Sequence, residues 1–310
     1  MKRTLTLILA ILILAFCAVG CAKAEPKPTE APAPAPTEAP APTEAPAPTE
    51  EPAPTEEPAP TEEPAPTEEP APETRTFTVG FDAEFPPFGF VAEDGSYDGF
   101  DLAVAEDVCR RLGWTFVAQP INWDAKDSEL ASGNIDCIWN GFTIQGREND
   151  YTWTPAYYDS SIVVVVKADS AINTLADLAG KNVIVQAASS GLSALEGLPE
   201  LTATFGELLE CADYNSAFME LGMGTVDAVV ADVGVAAYNT RGKEADYRTL
   251  DEAVSVETYG VGFLKGSEEL AAQVWDTMIS VAADGTMAAL ADKYVPYGLV
   301  KENCTLIPKG

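Results

Sequence analysis

The chain has 310 residues, 49 acidic against 18 basic, no histidine, and a formal net charge of −31 at neutral pH. Such a polyanion repels phosphate backbones, which argues against a nucleic-acid partner, and the missing imidazole removes the commonest metal ligand and the commonest general base. Composition shifts along the chain, from an apolar head through a proline-rich stretch to an ordinary globular mixture.

Residues 1–20 read as a secretory signal: Lys2 and Arg3 precede an apolar run from Leu5 to Val19, and the small Gly20 stands before Cys21. The run is short for a membrane span of about 20 residues. Its pattern resembles a bacterial lipoprotein signal, cut before a cysteine that has received a diacylglyceryl group. That implies lipidation at Cys21, against simple secretion or a retained anchor. Residues 21–75 then form a tether. From Ala22 to Thr74 the chain is almost only Pro, Ala, Thr and Glu, with threonine every six residues from Thr43 to Thr67. Proline fixes φ and removes a donor, the glutamates repel one another, and no large apolar residue is available for a core, so extended polyproline II is expected. Fully extended at ~3.1 Å per residue, this stretch reaches on the order of 160 Å. A spacer with no length requirement fits the same composition.

From Thr76 onward, 36 acidic and 13 basic residues leave a net charge of −23, and the length suits one large domain or two small ones. Strands are predicted at Phe77–Phe81, Trp114–Val117 and Asp136–Trp139, with a helix over Phe100–Leu112 ended by Gly113 and another over Asp124–Leu130. The outline then repeats. Strands are expected at Ser161–Lys167, Val183–Val185, Asp227–Ala231 and Tyr259–Leu264. Helical segments are expected near Leu175, from Ser189, over Tyr214–Leu221, from Val233, over Ser267–Ala283 and over Thr286–Tyr294. Alternation of apolar strands with helices predicts an α/β fold of mostly parallel sheets flanked by helices, in two lobes of roughly 100 residues each. Cys109, Cys137, Cys211 and Cys304 show no CxxC spacing. Cys109 and Cys137 fall inside a helical and a strand pattern, so buried free thiols are expected there, although export leaves disulfides open.

Several stretches carry polar groups where a ligand would meet them. In GFDAEFPPFGF, Asp82 directly follows the first strand, with Phe85 behind it; in open α/β sheets, ligands bind beyond the carboxyl ends of strands. DGSYDGFD places acids at the first positions of a calcium loop, but Ala105 stands where the bidentate glutamate belongs, so a hairpin is expected instead. In CIWNGFTIQGREND a strand ends at Asn140 and Gly141, followed by Thr143 and Arg147. A guanidinium there suits a carboxylate through two parallel bonds, or else answers nearby Glu148 or Asp150. VQAASSGLSAL puts Ser189 and Ser190 at a helix start, suited to an anionic group or to plain capping. VDAVVADVG ends a strand at Asp232, which could hold an ammonium group, though capping the next helix is the better reading of that residue alone.

Together, FDAEFPPFGF, DGFDLAVAEDV, SGNIDCIWNGFTIQGR, GKNVIVQAASS and GTVDAVVADVG, in this order, resemble the family 3 extracellular solute-binding proteins, which serve ABC importers of polar amino acids. The likeness runs from about Thr76 to Val300. It implies a type 2 periplasmic-binding-protein-like fold, with lobe 1 formed by 76–158 plus 260–310, lobe 2 by 159–259, and hinge crossings near Tyr158 and Tyr259. It also implies a ligand site. Arg147 would grip the α-carboxylate, helped by the NGFT turn (Asn140, Gly141, Thr143) and by Ser189 and Ser190. Asp232 would take the α-ammonium, and Asp82, Phe85 and Trp123 would face the side chain. From Thr143 to Arg147 is four steps where the family commonly has five.

The implied function is capture of a free polar amino acid and its delivery to an ABC permease and ATPase. The receptor would be a monomer, lipid-anchored on the extracellular face in the Gram-positive manner, without cofactor, metal or nucleic acid. Asp82, Glu84 and the general acidity lean toward a basic side chain, while related receptors with the same aspartate take glutamine; the expectation therefore stays at a polar amino acid. The alternatives are an amino-acid-sensing ectodomain and a dehydratase-like enzyme on the same fold. No carboxylate pair has a spacing that demands catalysis.

Overall fold

Phe77, Val79 and Phe81 alternate with smaller residues and bury one face of the first strand, β1 (Thr76–Phe81), as period-2 patterning requires. The computed structural model describes residues 74–309, so the signal segment, Cys21 and nearly all of the tether lie outside the described residues. A small antiparallel sheet follows, β2 (Glu84–Phe85), β3 (Gly89–Val91) and β4 (Tyr97–Asp98). The DGSYDGFD stretch is the expected hairpin, closed by Ala92 N donating to Ser96 O and Gly95 N to Ala92 O.

Helix α1 (Phe100–Leu112) buries Leu102, Val104, Ala105, Val108 and Cys109 and stops at Gly113, whose φ of 71° is the left-handed cap that glycine adopts without strain. Next come β5 (Thr115–Pro120), a 3-10 turn at Trp123–Ala125 running into α2 (Lys126–Ser132), β6 (Cys137–Ile138) and β7 (Thr152–Trp153). The chain then enters the second sheet with β8 (Tyr158–Lys167) and β9 (Asn182–Gln186), and continues through α3 (Ser190–Glu196), α4 (Pro199–Thr202), β10 (Glu207–Cys211), α5 (Tyr214–Met223), β11 (Ala228–Asp232), α6 (Val233–Thr240), β12 (Tyr247–Thr249) and β13 (Ser255–Tyr259). It returns with β14 (Gly262–Phe263) and ends in α7 (Glu268–Ala283) and α8 (Thr286–Tyr294), which pack on α1.

The first sheet has the order β5-β1-β6-β14-β7. Its first three strands are parallel, and β14 runs antiparallel to β6 and β7. In the second sheet β9 is parallel to β10 and β11, while the long β8 is antiparallel to β11, β12 and β13. Strand β8 shows why its sequence, SIVVVVK, lacks alternation. Val163 and Val165 pack in one apolar cluster, Ile162, Val164 and Val166 in another, so both faces are buried.

Two expectations are corrected. The strand predicted at Tyr259–Leu264 is two strands: Ser255–Tyr259 pairs with β8 and Gly262–Phe263 with β6 and β7, so the chain changes sheets at Gly260–Val261. The strand expected at Trp114–Val117 is β5, shifted onward to Thr115–Pro120 because its register is set by pairing along the whole of β1. Cys109, Cys137, Cys211 and Cys304 are free, and burial pushes the Cys109 and Cys211 thiols up to about 12, leaving little reactive thiolate.

Candidate functional site

Strand ends from both sheets meet across one gap. Asp82 follows β1, is 6% exposed, and accepts a 2.6 Å hydrogen bond from Nε2 of Gln186 at the end of β9 in the other sheet. Its other oxygen accepts from Glu84 N, and its own amide donates to Asn140 Oδ1, so the two strand ends of the first sheet are tied together. Burial pushes Asp82 above its ordinary value, with Asp213 adding a repulsive contribution; Glu84 is raised by burial and then by Asp213 and Asp82. Three carboxylates thus border one edge of the gap.

Gly141 carries φ 54°, and a Cβ there would lie 2.8 Å from the Phe85 ring and 3.1 Å from Tyr259, so glycine is needed for both conformation and space. Its amide donates at 2.6 Å to Asp101 Oδ2, which also accepts from Tyr157. Phe85 packs at 6.0 Å from Phe88 and from Tyr214 of α5, placing an aromatic wall between the sheets.

Arg147 is partly buried. Its guanidinium lies 5.3 Å from the Phe142 ring, and its nitrogens donate to Thr143 O at 3.3 Å and, across the gap, to Ala188 O at 3.2 Å. No carboxylate among the described residues lies within ion-pair distance of it, so the surface pairing with Glu148 or Asp150 does not form. Lys126, 4% exposed, approaches the same Ala188 carbonyl at 3.5 Å and sits 5.5 Å from the Trp123 ring. Burial lowers its pKa, opposed by Asp127 and reinforced by Arg147. Trp123 in turn meets Phe142 edge to face. Two cations therefore converge on one carbonyl.

That carbonyl belongs to a strained residue. Ala188 has φ 53°, a left-handed conformation that costs an L-residue about 1–2 kcal/mol. Ala188→Gly is expected to raise stability by about 0.5–1 kcal/mol, less than the full relief because glycine also loosens the unfolded chain. The expected reading is a higher denaturation midpoint at unchanged slope; a lower midpoint would contradict the strain assignment.

Ser189 caps α3: its hydroxyl accepts from Leu192 N and donates to Gln186 O, the plain capping role. Ser190 opens the helix and is partly buried. Asp232 does not cap α6 with its side chain, contrary to the reading of that residue in isolation. It is 2% exposed and accepts a 2.6 Å bond from the Tyr259 hydroxyl, which in turn receives one from Ser160. Thr143 donates at 2.9 Å to Glu257, a buried carboxylate on β13. Asp232 is held well above the carboxylate range by burial and then by Glu257 beside it.

The structure brings Asp82, Phe85, Trp123, Asn140, Gly141, Thr143, Arg147, Ser189, Ser190 and Asp232 to the facing ends of the two sheets. It adds Lys126, Gln186, Tyr214, Glu257 and Tyr259, which the sequence reading passed over. A lysine at a helix start and a glutamate inside a strand carry no local mark of a site.

The geometry accords with the comparisons. A model of the bacterial extracellular solute-binding proteins, family 3, matches residues 77–297. The chain is 30% identical over 225 residues to the L-cystine-binding protein TcyJ of Escherichia coli (strain K12), covering 72% of this chain and 83% of that protein. It is 27% identical over 234 residues to an L-arginine-binding protein of Pseudomonas aeruginosa, covering 73% and 90%. Among solved structures, an ABC uptake transporter substrate binding protein from Streptococcus pneumoniae with bound histidine is similar at a TM-score of 0.69 and 32% identity, covering 73% of this chain and 94% of that one.

Proposed function

The chain belongs to family 3 of the bacterial extracellular solute-binding proteins, and on that premise we propose that it captures a free polar amino acid between two lobes for an ABC permease and ATPase. The family consists of binding proteins and not enzymes. We assign lobe 1 to 76–158 plus 260–310 and lobe 2 to 159–259. In support, the chain passes between the two sheets after β7 and after β13.

The observation that carries the reading is Arg147: a half-buried guanidinium at the facing ends of the sheets, without a carboxylate partner among the described residues. A planar fork in that setting suits the α-carboxylate of an amino acid. Asp232 supplies the opposite pole for the α-ammonium, so a zwitterion has both charges answered when the lobes close. The acidic edge of Asp82, Glu84 and Asp213 favours a basic or otherwise polar side chain, in keeping with relatives named for arginine and histidine. Cys21 is assigned as a lipid anchor on the extracellular face, with residues 21–75 as the tether and a Gram-positive arrangement; the protomer is assigned as a monomer.

A thermal-shift panel of the twenty common L-amino acids and L-cystine tests this. At a concentration 100 times Kd, one or a few should stabilise the fold by about 2.7 kcal/mol, a rise of roughly 5–10 °C for a domain of this size. A folded protein with no response to the whole panel would contradict amino-acid capture.

A further inference from the structure

Asp232 and Glu257 come from different strands, yet the register places them together. Asp232 on β11 pairs with Ile162 of β8, which on its other edge pairs with Ser255 of β13. Residues two apart on a strand share a face, so Asp232, Ser255, Glu257 and Tyr259 all project from one side of the sheet. Glu257 is 5% exposed. Its Oε2 accepts from Thr143 of the other sheet, while its Oε1 is buried without a hydrogen-bond partner. Asp232 lies within hydrogen-bonding reach of Glu257, so the buried pair repels unless a proton or a cation lies between the two carboxyl groups.

The surroundings supply no cation. The titratable groups facing the pair are Tyr259 from β13 and Tyr214 from α5, both held neutral by burial. Ser160 of β8 and Thr143 contribute hydroxyls. No lysine or arginine among the described residues lies within ion-pair distance of either carboxylate.

We propose that Glu257 is a ligand-binding residue: with Asp232 it forms a two-carboxylate seat for one ammonium group. This rests on the amino-acid-binding reading and sharpens it. Without ligand, Asp232 carries the proton, consistent with its raised pKa. An ammonium has three N–H donors, and its arrival in place of the proton leaves two carboxylates around one cation. The displaced proton leaves to solvent, so capture of a zwitterion or cationic amino acid releases up to one proton.

The test is calorimetric titration of the full chain, in buffers of different ionisation enthalpy, with each of the twenty common L-amino acids and L-cystine that stabilises it. At a pH where the free pair holds its proton, wild type should release up to one proton per amino acid bound. Its affinity should rise with pH, by up to tenfold per unit, for as long as the free pair holds its proton, and level off once that proton is lost without ligand. Glu257→Gln should show a smaller release and a shallower slope, and bind at least tenfold more weakly, since the seat keeps only one carboxylate. Binding by wild type with neither proton release nor pH dependence would overturn the seat while leaving amino-acid capture standing. Unchanged affinity and release in Glu257→Gln would do the same. If the variant does not fold, the wild-type proton count decides alone. If no amino acid binds, the capture reading and the seat fall together.

Discussion

Arg147→Ala removes the stabilisation that a bound amino acid confers while leaving the ligand-free fold intact. The guanidinium contacts two carbonyls and one aromatic ring and takes part in no ion pair among the described residues. Its removal from the free protein therefore forfeits little beyond a cation–π contact of about 0.5–1 kcal/mol. In the complex the same side chain meets the α-carboxylate, and truncating one member of a desolvated charge pair costs about 2–5 kcal/mol, much of it from the charge left unanswered. A 100-fold weaker complex, at a concentration giving wild type a stabilisation of about 2.7 kcal/mol, retains only about 0.4 kcal/mol. The melting shift should therefore fall to roughly 1 °C. Arg147→Lys keeps the charge but not the fork, and should recover only part of the loss. A full shift in Arg147→Ala would return this residue to a lobe-to-lobe contact with Ala188.

Raising the pH from about 4 to about 7 weakens the ligand-free protein by on the order of 4 kcal/mol through Asp101 alone. This residue lies in the first turn of α1 with its carboxylate in the core. Oδ2 accepts from Gly141 N and from Tyr157, and Oδ1 has no partner. Burial outweighs those two bonds and raises its pKa to about 7. A raised folded-state value means the fold favours the protonated form. The contribution is fully present below the unfolded value near 4, declines as pH rises, and is gone above about 7. Asp82 and Asp232 are shifted in the same direction and add to the slope. Asp101→Asn mimics the protonated acid in shape and in its remaining acceptor. Denaturant titrations across this range should show the slope reduced by about 4 kcal/mol, roughly 10 °C in melting temperature at pH 8. A variant with the wild-type slope would contradict the assignment.

Much of this fold was legible where local signals and tertiary packing agree. Helix α1 has apolar residues at helical spacing and a glycine at its end, and its bounds are those expected; so are those of α8. Strand β10 (ELLEC) and β12 (YRT) were not foreseen. Both are sheet edges interrupted by charged residues, Glu207 and Glu210 exposed on β10 and Arg248 on β12 bonded to the loop at Ser170–Asn173, so neither shows the unbroken apolar run of β8. The single strand expected at Tyr259–Leu264 failed for a different reason. VSVETYGVGF keeps strand-like residues throughout, and only the choice of pairing partners divides it between two sheets.

The site divides in the same way. Asp82, Arg147 and Asp232 could be picked out because strand ends face ligands in such sheets, and a resemblance ordered them into roles. Gln186 against Asp82 and Thr143 against Glu257 are separated by 104 and 114 residues, and no spacing rule in one sequence connects them. Asp232 read alone favoured helix capping. The Tyr259 hydroxyl takes its carboxylate instead, a partner supplied by a strand formed later in the chain.

The most direct test of amino-acid capture is a crystal structure of the protein grown with the amino acid that stabilises it most. The account predicts that molecule between the two sheets, with its α-carboxylate within hydrogen-bond distance of Arg147 and its α-ammonium at Asp232. An amino acid bound elsewhere, or bound in the gap with Arg147 still turned to Ala188 and its carboxylate facing away, would contradict it.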